Sequence, residues 1–563
     1  MKSEIARLAD WPKSIDINQI TEQFGSPAWI ISENQLIDNV NAYAKFTGDK
    51  SRIFYPVKTN PSLTVLQLLA NLGTGADCAS QLEINLALFA GIELKNISYN
   101  TPVQDIKICE SLLISGANVV MDDINAIIEL QNSIKDCSFK GKLILRVNLP
   151  EYVGYSSKND NQELMAHGHK SSKFGIPAED LLSVLKHITM PVSGLHVHVG
   201  TQMDNMKSFE NAIISLNELA ETLKTLGHCI TDINIGGGLG IPFESNQEFP
   251  SLDSWCSTMT SLKKEHLNYS VEPGHALIGN AVALLTCVQT VKESRGKKWA
   301  IVDVGTDQLT KVTLLKWPHR ILFKSGEELH SGKDAIAGPL CFAGDTLKEN
   351  INADNLLKGT PLLITEAGAY TFSLSNKFNG RTAPKWLLLK SNGELLQTME
   401  KESIYDELHH SRYNWNITIN ESNTQSIDLN LVDQLSSKYL FQTCEADRFD
   451  YLEVNYESKN HYKFSVSTSS VVDFISMPFA IRIIGDATII SVLHSKGYDH
   501  KDFSIWGRKL NMDCYEQLSS NQNIEFSISL SDTLKKGNQY LIVSRFKTSC
   551  NKFSGSIIVS FEK

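Results

Sequence analysis

The chain has 563 residues, with 42% hydrophobic and 21% charged residues, a formal charge of -10 and ten cysteines. It is too long for one hydrophobic core, so two or three domains are expected. The net negative charge speaks against a nucleic-acid partner, and no run approaches the ~18 apolar residues needed to cross a bilayer.

The first residues, Met1-Lys2-Ser3-Glu4-Ile5-Ala6, lack the apolar segment of a secretory signal. The cysteines show neither CxxC pairs nor zinc-like Cys/His spacing, which points to a reducing cytoplasm. Pro27-Ala28-Trp29-Ile30-Ile31 has the composition of a strand, and Ser32-Glu33-Asn34-Gln35-Leu36 that of a helix start.

From residue 50 short apolar runs alternate with amphipathic stretches. The runs are Ile53–Lys58, Gly75–Ser80, Ile97–Asn100, Asn118–Asp122, Lys142–Asn148, Gly194–Gly200, Asp232–Gly237 and Tyr269–Gly274. Each is followed by a helical pattern such as Leu63–Leu72 or Gln81–Phe89. Eight βα units over roughly 230 residues predict a (β/α)8 TIM barrel in an α/β chain. The chemically unusual residues lie at the C-terminal ends of these runs: Lys58, Asp77, Ser80, Arg146, His198, Thr201, Gly236–Gly238 and Glu272. In a barrel those ends share the face on which active sites are built.

After about residue 280 the helices drop out. Ala281–Lys292, Trp299–Val304, Gly338–Cys341, Leu362–Thr365 and Trp386–Leu389 are expected as strands. With the early strand they predict a mostly antiparallel β domain formed by 1–45 and 281–396, around a barrel at 46–280. Residues 397–425 are polar and are expected to be a linker. In 426–563, period-two stretches at Tyr462–Ser467, Phe479–Ile484, Ile524–Ser529 and Ser556–Phe561 predict a β-sandwich-like domain. No catalytic constellation stands out there; His494, His500, Cys444 and Cys514 are expected to be core or surface residues.

The strand ends carry a chemistry. Lys58 sits at the inner end of a buried run, where desolvation lowers an amine's pKa and makes it a nucleophile fit for a Schiff base. The turn Gly236-Gly237-Gly238, after the seventh strand, suits a phosphate bound by backbone N–H groups. Glu272, before Pro273-Gly274, places a carboxylate at the eighth strand end, suited to keep a pyridine nitrogen protonated. His196 and His198 alternate onto one side; a metal would need a third ligand, whereas one flat imidazole can stack on a flat ring. Lysine, phosphate turn, acidic partner and stacking histidine describe a pyridoxal 5'-phosphate site.

Residues about 25–395 resemble the fold type III pyridoxal-phosphate decarboxylases, those of diaminopimelate, ornithine and arginine, and most the diaminopimelate branch. The motifs are Tyr55-Pro56-Val57-Lys58-Thr59-Asn60, Asp77-Cys78-Ala79-Ser80, His196-Val197-His198-Val199-Gly200-Thr201, Gly236-Gly237-Gly238, Glu272-Pro273-Gly274, Gly338-Pro339-Leu340-Cys341 with Asp345, and Ala367-Gly368-Ala369-Tyr370. The resemblance implies that Lys58 carries the aldimine and that His198 stacks on the ring. It implies that Glu272 holds the pyridine nitrogen and stabilises the quinonoid, and that the glycines with Tyr370 hold the phosphate. Asp77, Ser80, Arg146, Thr201, Gly274 and His275 are further cofactor contacts by position. Cys341 would reach in from a second subunit and protonate Cα, in a homodimer with shared sites.

The chain also departs from that family. Where diaminopimelate decarboxylases carry an arginine after Glu-Pro-Gly, this chain has His275. Where they carry an arginine and a tyrosine, it has Lys311 and Leu315; where a glutamate follows the cysteine, it has Phe342. Arg381 matches a family arginine near the substrate. Phe342 removes the counter-charge for a distal amine, so the expected substrate is another amino acid or a carrier-tethered amino-acyl group. The alternatives are a true meso-diaminopimelate decarboxylase making L-lysine and a catalytically silent binding protein. A racemase is disfavoured by Glu272, since alanine racemases place an arginine there. Around Ser491–Arg545, including Trp506-Gly507 and Gly537-Asn538-Gln539-Tyr540, the last domain faintly resembles β-sandwiches that bind polysaccharide ends on export transporters; docking of a carrier protein is the other reading.

Overall fold

The computed structural model describes residues 5–134, 139–149, 155, 172–324, 326–401, 425–435, 447–470, 475, 477–498, 505–514, 519, 522–531, 533–536, 539–550 and 552–562. Most of the expected linker (402–424), together with Cys444, His500 and Gly537-Asn538, lies outside the described residues. The chain divides into two compact units, Met1–Glu402 and Ser403–Lys563.

In the first unit eight parallel strands stand in sequence order, from Phe54–Pro56 through Gly75–Cys78, Ile97–Asn100, Asn118–Met121, Lys142–Asn148, Val192–His196 and Asp232–Asn234 to Asn268–Ser270. They are mostly buried, as parallel strands covered by helices are, with polar residues such as Asp77, Arg146, His196 and Asn234 at their C-terminal ends. The barrel is closed by a parallel bridge between Ile53 and Val271. The Phe54 N–H donates to the Val271 carbonyl (2.8 Å) and the Val271 N–H to that of Arg52 (3.1 Å). Closure therefore falls one residue before Glu272 and brings the first and last motifs side by side.

Local sequence explains the helices between strands. Ser80 caps Gln81–Ala90 by accepting from the Glu83 N–H (3.2 Å), while the Glu83 carboxylate accepts from the Ala79 N–H (2.6 Å). This reciprocal pair is a capping box. The helix ends at Gly91, whose φ of 103° a side chain would disfavour.

The rest of this unit is a ten-stranded sheet. The early strand Ala28–Ser32 lies inside it, antiparallel to Val282–Ser294 and parallel to Lys385–Leu389. One expected strand is absent: Ser331–Ala337 ends before Gly338, and Gly338–Cys341 is a turn. Asp345 bends it. Its carboxylate accepts from the Leu340 N–H (2.8 Å) and from the Thr306 N–H (2.7 Å), and its carbonyl accepts from the Gly338 N–H (3.0 Å).

The second unit holds one eight-stranded sheet, antiparallel throughout, whose long strands are Asp447–Ser458, His461–Ser470, Ile505–Cys514, Asn523–Leu530, Gln539–Thr548 and Phe553–Glu562. The expected strand at Phe479–Ile484 belongs instead to the helix Met477–Ser495. Phe479, Ile483, Ile484, Ala487 and Ile490 are all buried, in one cluster with Phe526, Ile528 and Phe546. A run buried over most of its surface, with apolar Ile481 on its exposed side, loses the 3.6-residue alternation that would have marked it as a helix. The layer packed on the sheet is thus helical, and no second sheet forms among the described residues. No helix among them is long and apolar enough to cross a membrane.

Candidate active site

The short helical turn Val57–Thr59 follows the first barrel strand and turns Lys58 into the mouth, where its side chain is 46% exposed. Its Nζ lies 2.9 Å from Oδ2 of Asp77, which is fully buried on the next strand. Burial pulls the Lys58 ammonium down, but Asp77, Tyr370 and Glu272 outweigh it and hold its pKa above the ordinary value. The sequence-based expectation of a lowered pKa is corrected here. Burial and then Glu272 push Asp77 up, against the pull of Lys58.

Glu272 is 4% exposed and held at both oxygens. Asn234 Nδ2 donates to Oε1 (2.7 Å), and His196 Nε2 lies 3.1 Å from Oε2. Burial raises the Glu272 pKa, but His196, Lys58 and Arg146 reverse the direction and keep the carboxylate ionised. Arg146, His196 and Asn234 are register partners on three neighbouring strands, so they form one polar layer at the top of the barrel. The Arg146 guanidinium stacks 4.4 Å from the centre of the Phe174 ring.

The glycine turn passes very close to its neighbours. A Cβ at Gly236 would lie 2.3 Å from the Val197 carbonyl oxygen, one at Gly237 2.0 Å from that of Glu272, and one at Gly238 2.4 Å from that of Gly200. Two of its N–H groups are used internally. Gly236 donates to Asn234 Oδ1 (2.9 Å) and Gly237 to Nδ1 of the half-buried His198 (3.1 Å). These two therefore orient Asn234 and His198 rather than meeting an anion. Thr201, just beyond, accepts at its carbonyl from the Tyr155 hydroxyl (2.7 Å). Across the mouth, a Cβ at Gly274 would meet Thr59 Oγ1 at 3.1 Å and the Tyr370 hydroxyl at 3.3 Å. Tyr370, at a φ of 52°, is fixed by donating its N–H to the Thr59 carbonyl (2.8 Å).

Four buried polar atoms of this region have no hydrogen-bond partner among the described residues: Thr59 Oγ1, Asp77 Oδ1, His196 Nδ1 and His275 Nε2. Such atoms are rare in folded proteins and mark places where a bound group completes the bonding. An amine, an ionised buried carboxylate, a half-buried imidazole and a close glycine-lined wall fit a flat pyridine aldehyde bearing a phosphate. No group of three or more His, Cys, Asp or Glu side chains among the described residues is placed to hold a metal ion.

Residues 33–279 match the family model of the pyridoxal-dependent decarboxylase pyridoxal-binding domain. Over that span the chain is similar to the pyridoxal-dependent decarboxylases. It is 29% identical over 418 residues to the diaminopimelate decarboxylase of Methanocaldococcus jannaschii, covering 69% of this chain and 92% of that one. It is 28% identical over 378 residues to that of Helicobacter pylori strain J99, covering 66% and 91%. A crystal structure of the M. jannaschii diaminopimelate decarboxylase superposes with a TM-score of 0.62 at 26% identity, covering 70% of this chain and 94% of the other. The C-terminal region extends beyond the part shared with these relatives. The diaminopimelate decarboxylases it resembles are carboxy-lyases dependent on pyridoxal 5'-phosphate.

The remaining expected site residues of this chain fall into two groups. Cys341 and Phe342 are exposed on the turn bent by Asp345, with the Cys341 N–H donating to Asn379 Oδ1 (2.8 Å). His275 and Lys311 are buried, and Leu315 is partly so. Lys311 donates from Nζ to the Ala369 carbonyl (2.9 Å) and lies 4.5 Å from the centre of the Phe243 ring. The His275 ring packs on Tyr370 (centroids 4.9 Å apart) and on Trp317. Burial, then Lys311 and His319, lower the His275 pKa well below the usual range. Arg381 donates to the Asp303 carbonyl and lies 3.9 Å from Asp307. Sequence reasoning passed over Asn234, Asn100, Thr306 and Asn379, and gave no partner to His196 or bending role to Asp345. The polar side chain in Asn234-Ile235-Gly236, at the end of a buried strand, was the available signal.

Proposed function

We propose that this chain is a pyridoxal-phosphate α-decarboxylase acting on an amino acid, or an amino-acyl group on a carrier, whose distal end differs from that of diaminopimelate. The observation that carries the substrate reading is Phe342. Its side chain is 48% exposed directly after Cys341, so no carboxylate stands there to meet a distal ammonium. Lys311 supports it, because its ammonium faces the Ala369 carbonyl rather than the mouth.

Pyridoxal phosphate, when bound, accepts the electron pair released as the bond from Cα to the carboxylate breaks. Lys58 would hold it through Nζ, and Glu272 would keep a proton on the ring nitrogen. His198 would lie on the ring face. Tyr370, Gly274 and Gly238 would hold the phosphate, with Gly236 and Gly237 forming the close wall beside it and Asp77, Ser80, Arg146, Thr201 and His275 completing that wall. Cys341 of a second copy would deliver a proton from Sγ to Cα. The surface around Cys341 supports that copy. Leu314, Phe342, Leu374 and Phe378 are all exposed. The Thr310 hydroxyl, which donates to the Leu374 carbonyl (2.9 Å), ties their segments together. Exposed apolar side chains on segments joined in this way support an interface with a second copy. The free thiols Cys78, Cys109, Cys229, Cys256, Cys287, Cys341 and Cys550 support a reducing, cytoplasmic setting.

The test is an absorption spectrum of the purified protein, followed by a panel of amino acids with released CO₂ recorded. A cofactor band lost in Lys58→Ala, with CO₂ from an amino acid lacking a distal ammonium, is the expected result. Efficient turnover of meso-diaminopimelate would overturn the substrate reading. Absence of any band would overturn the site assignment.

A further inference from the structure

We propose that His196 is a positioning residue that, together with Asn234, fixes the plane and the charge of Glu272 toward the cofactor ring. This rests on the reading that Glu272 meets the ring nitrogen.

The argument starts from saturation. A carboxylate enclosed in protein has to have its oxygens satisfied, or it takes up a proton. Glu272 has one neighbour on each oxygen, Asn234 on Oε1 and His196 on Oε2, and both come from barrel strands. Asn234 is itself oriented, because its Oδ1 accepts from the Gly236 N–H. His196 is fully buried, so its ring has no room to turn away. Since Oε2 is an acceptor, the ring's Nε2 carries the hydrogen of this contact. Nδ1 is enclosed with no partner among the described residues, so the ring contributes one hydrogen bond there, to Glu272. The glycine turn adds a third constraint, as the Glu272 N–H donates to the Gly236 carbonyl (2.8 Å). Side chain and backbone of Glu272 are thus locked from one sheet edge.

The consequence concerns the cofactor's nitrogen. With His196 in place Glu272 stays ionised and presents a fixed negative charge. Without the imidazole, burial raises the carboxyl pKa and the contact to a protonated ring nitrogen weakens. Removing a group that orients a contacting side chain typically costs about 10–100-fold in affinity at metal sites, and a similar size is expected here.

The experiment measures dissociation constants of the apo-protein for pyridoxal phosphate and for its 1-deaza analogue, in which carbon replaces the ring nitrogen. Wild type is compared with His196→Leu, His196→Gln and Asn234→Ser. The expected result is that wild type prefers pyridoxal phosphate, that His196→Leu loses about tenfold or more of that preference, and that affinity for the analogue is unchanged. His196→Gln, which offers an N–H near the Nε2 position, should restore most of it. Asn234→Ser acts on the other oxygen and should show the same selective loss, which keeps the test decisive if His196→Leu fails to fold. A His196→Leu protein that discriminates as well as wild type overturns the proposal, as does equal weakening of both compounds. A wild type that does not discriminate at all would instead overturn the reading of Glu272 on which the proposal stands.

Discussion

Lys58 Nζ lies 2.9 Å from Asp77 Oδ2, one barrel strand away, and this contact reverses what burial does to the amine. Desolvation favours the neutral form of a lysine, while a carboxylate at hydrogen-bond distance favours the ammonium. The amine has to shed its proton before it can attack an aldehyde. Asp77 therefore holds Lys58 in an unreactive but correctly placed form.

In Asp77→Asn the Coulomb attraction is lost and the desolvation stays. The Lys58 pKa should fall. The rate at which apo-protein captures pyridoxal phosphate, followed by absorbance from pH 6 to 10, should be higher in the variant throughout that range. An unchanged rate would show that Glu272 and Tyr370 alone set the charge of Lys58.

This pair also marks how far the sequence could be followed. The residues proposed to hold the cofactor stand out in the sequence because their types are unusual at the ends of buried strands, as with Lys58, Glu272 and the three glycines. The barrel was legible because its repeat is long and regular. The residues that tune the site were not. Asn234 lies 38 residues from Glu272 and His196 lies 76 residues away, and only the parallel register brings them together. The charge of Lys58 was misjudged for the same reason, since Asp77 is a neighbour across strands. Gly338–Cys341 carries strand-like residues, but a side chain beyond it, Asp345, bends it. In the second unit the helix at Met477–Ser495 is rich in isoleucine and buried over most of its surface, so local pattern favoured a strand.

Lys311 gives a prediction in stability. It is fully buried, and burial, only partly offset by Glu366, lowers its pKa from 10.5 to about 7. The groups facing it are His275 and His319, both held below their usual range by burial, and Glu366. Between about pH 7 and 10.5 the unfolded chain binds a proton that the folded chain does not. Stability from this group therefore rises with pH across that window and is lowest below it. Lys311→Met removes the linkage. Its gain over wild type in the denaturant midpoint should be largest at pH 7 or below and shrink toward pH 10. A gain that does not change with pH would mean that Lys311 keeps its proton when folded.

The proposal that Cys341 acts in the site of a second copy makes a prediction for mixed dimers. Lys58→Ala and Cys341→Ala should each be inactive alone. Mixed by co-expression at equal levels, half of the dimers carry one site with both residues intact, so about a quarter of wild-type CO₂ release should return. If Lys58 and Cys341 acted within one copy, mixing would restore nothing.

The closest approach within the three-glycine turn is at Gly237. A Cβ there would fall 2.0 Å from the Glu272 carbonyl oxygen and 2.9 Å from its carbonyl carbon, both backbone atoms that cannot swing aside. Gly237→Ala must therefore displace either the glycine turn or the strand end that carries Glu272. Overpacking of this kind costs typically about 1–3 kcal/mol. The displacement also pulls on the His198 contact made by the Gly237 N–H. Two effects should appear together, a lower melting temperature of the apo-protein and a faster loss of pyridoxal phosphate on dilution. The second should exceed what the first explains, because Glu272 and His198 move as well as the turn. An alanine variant that melts like wild type and retains the cofactor would show that the turn yields without moving Glu272, and that the glycine is not required for the site.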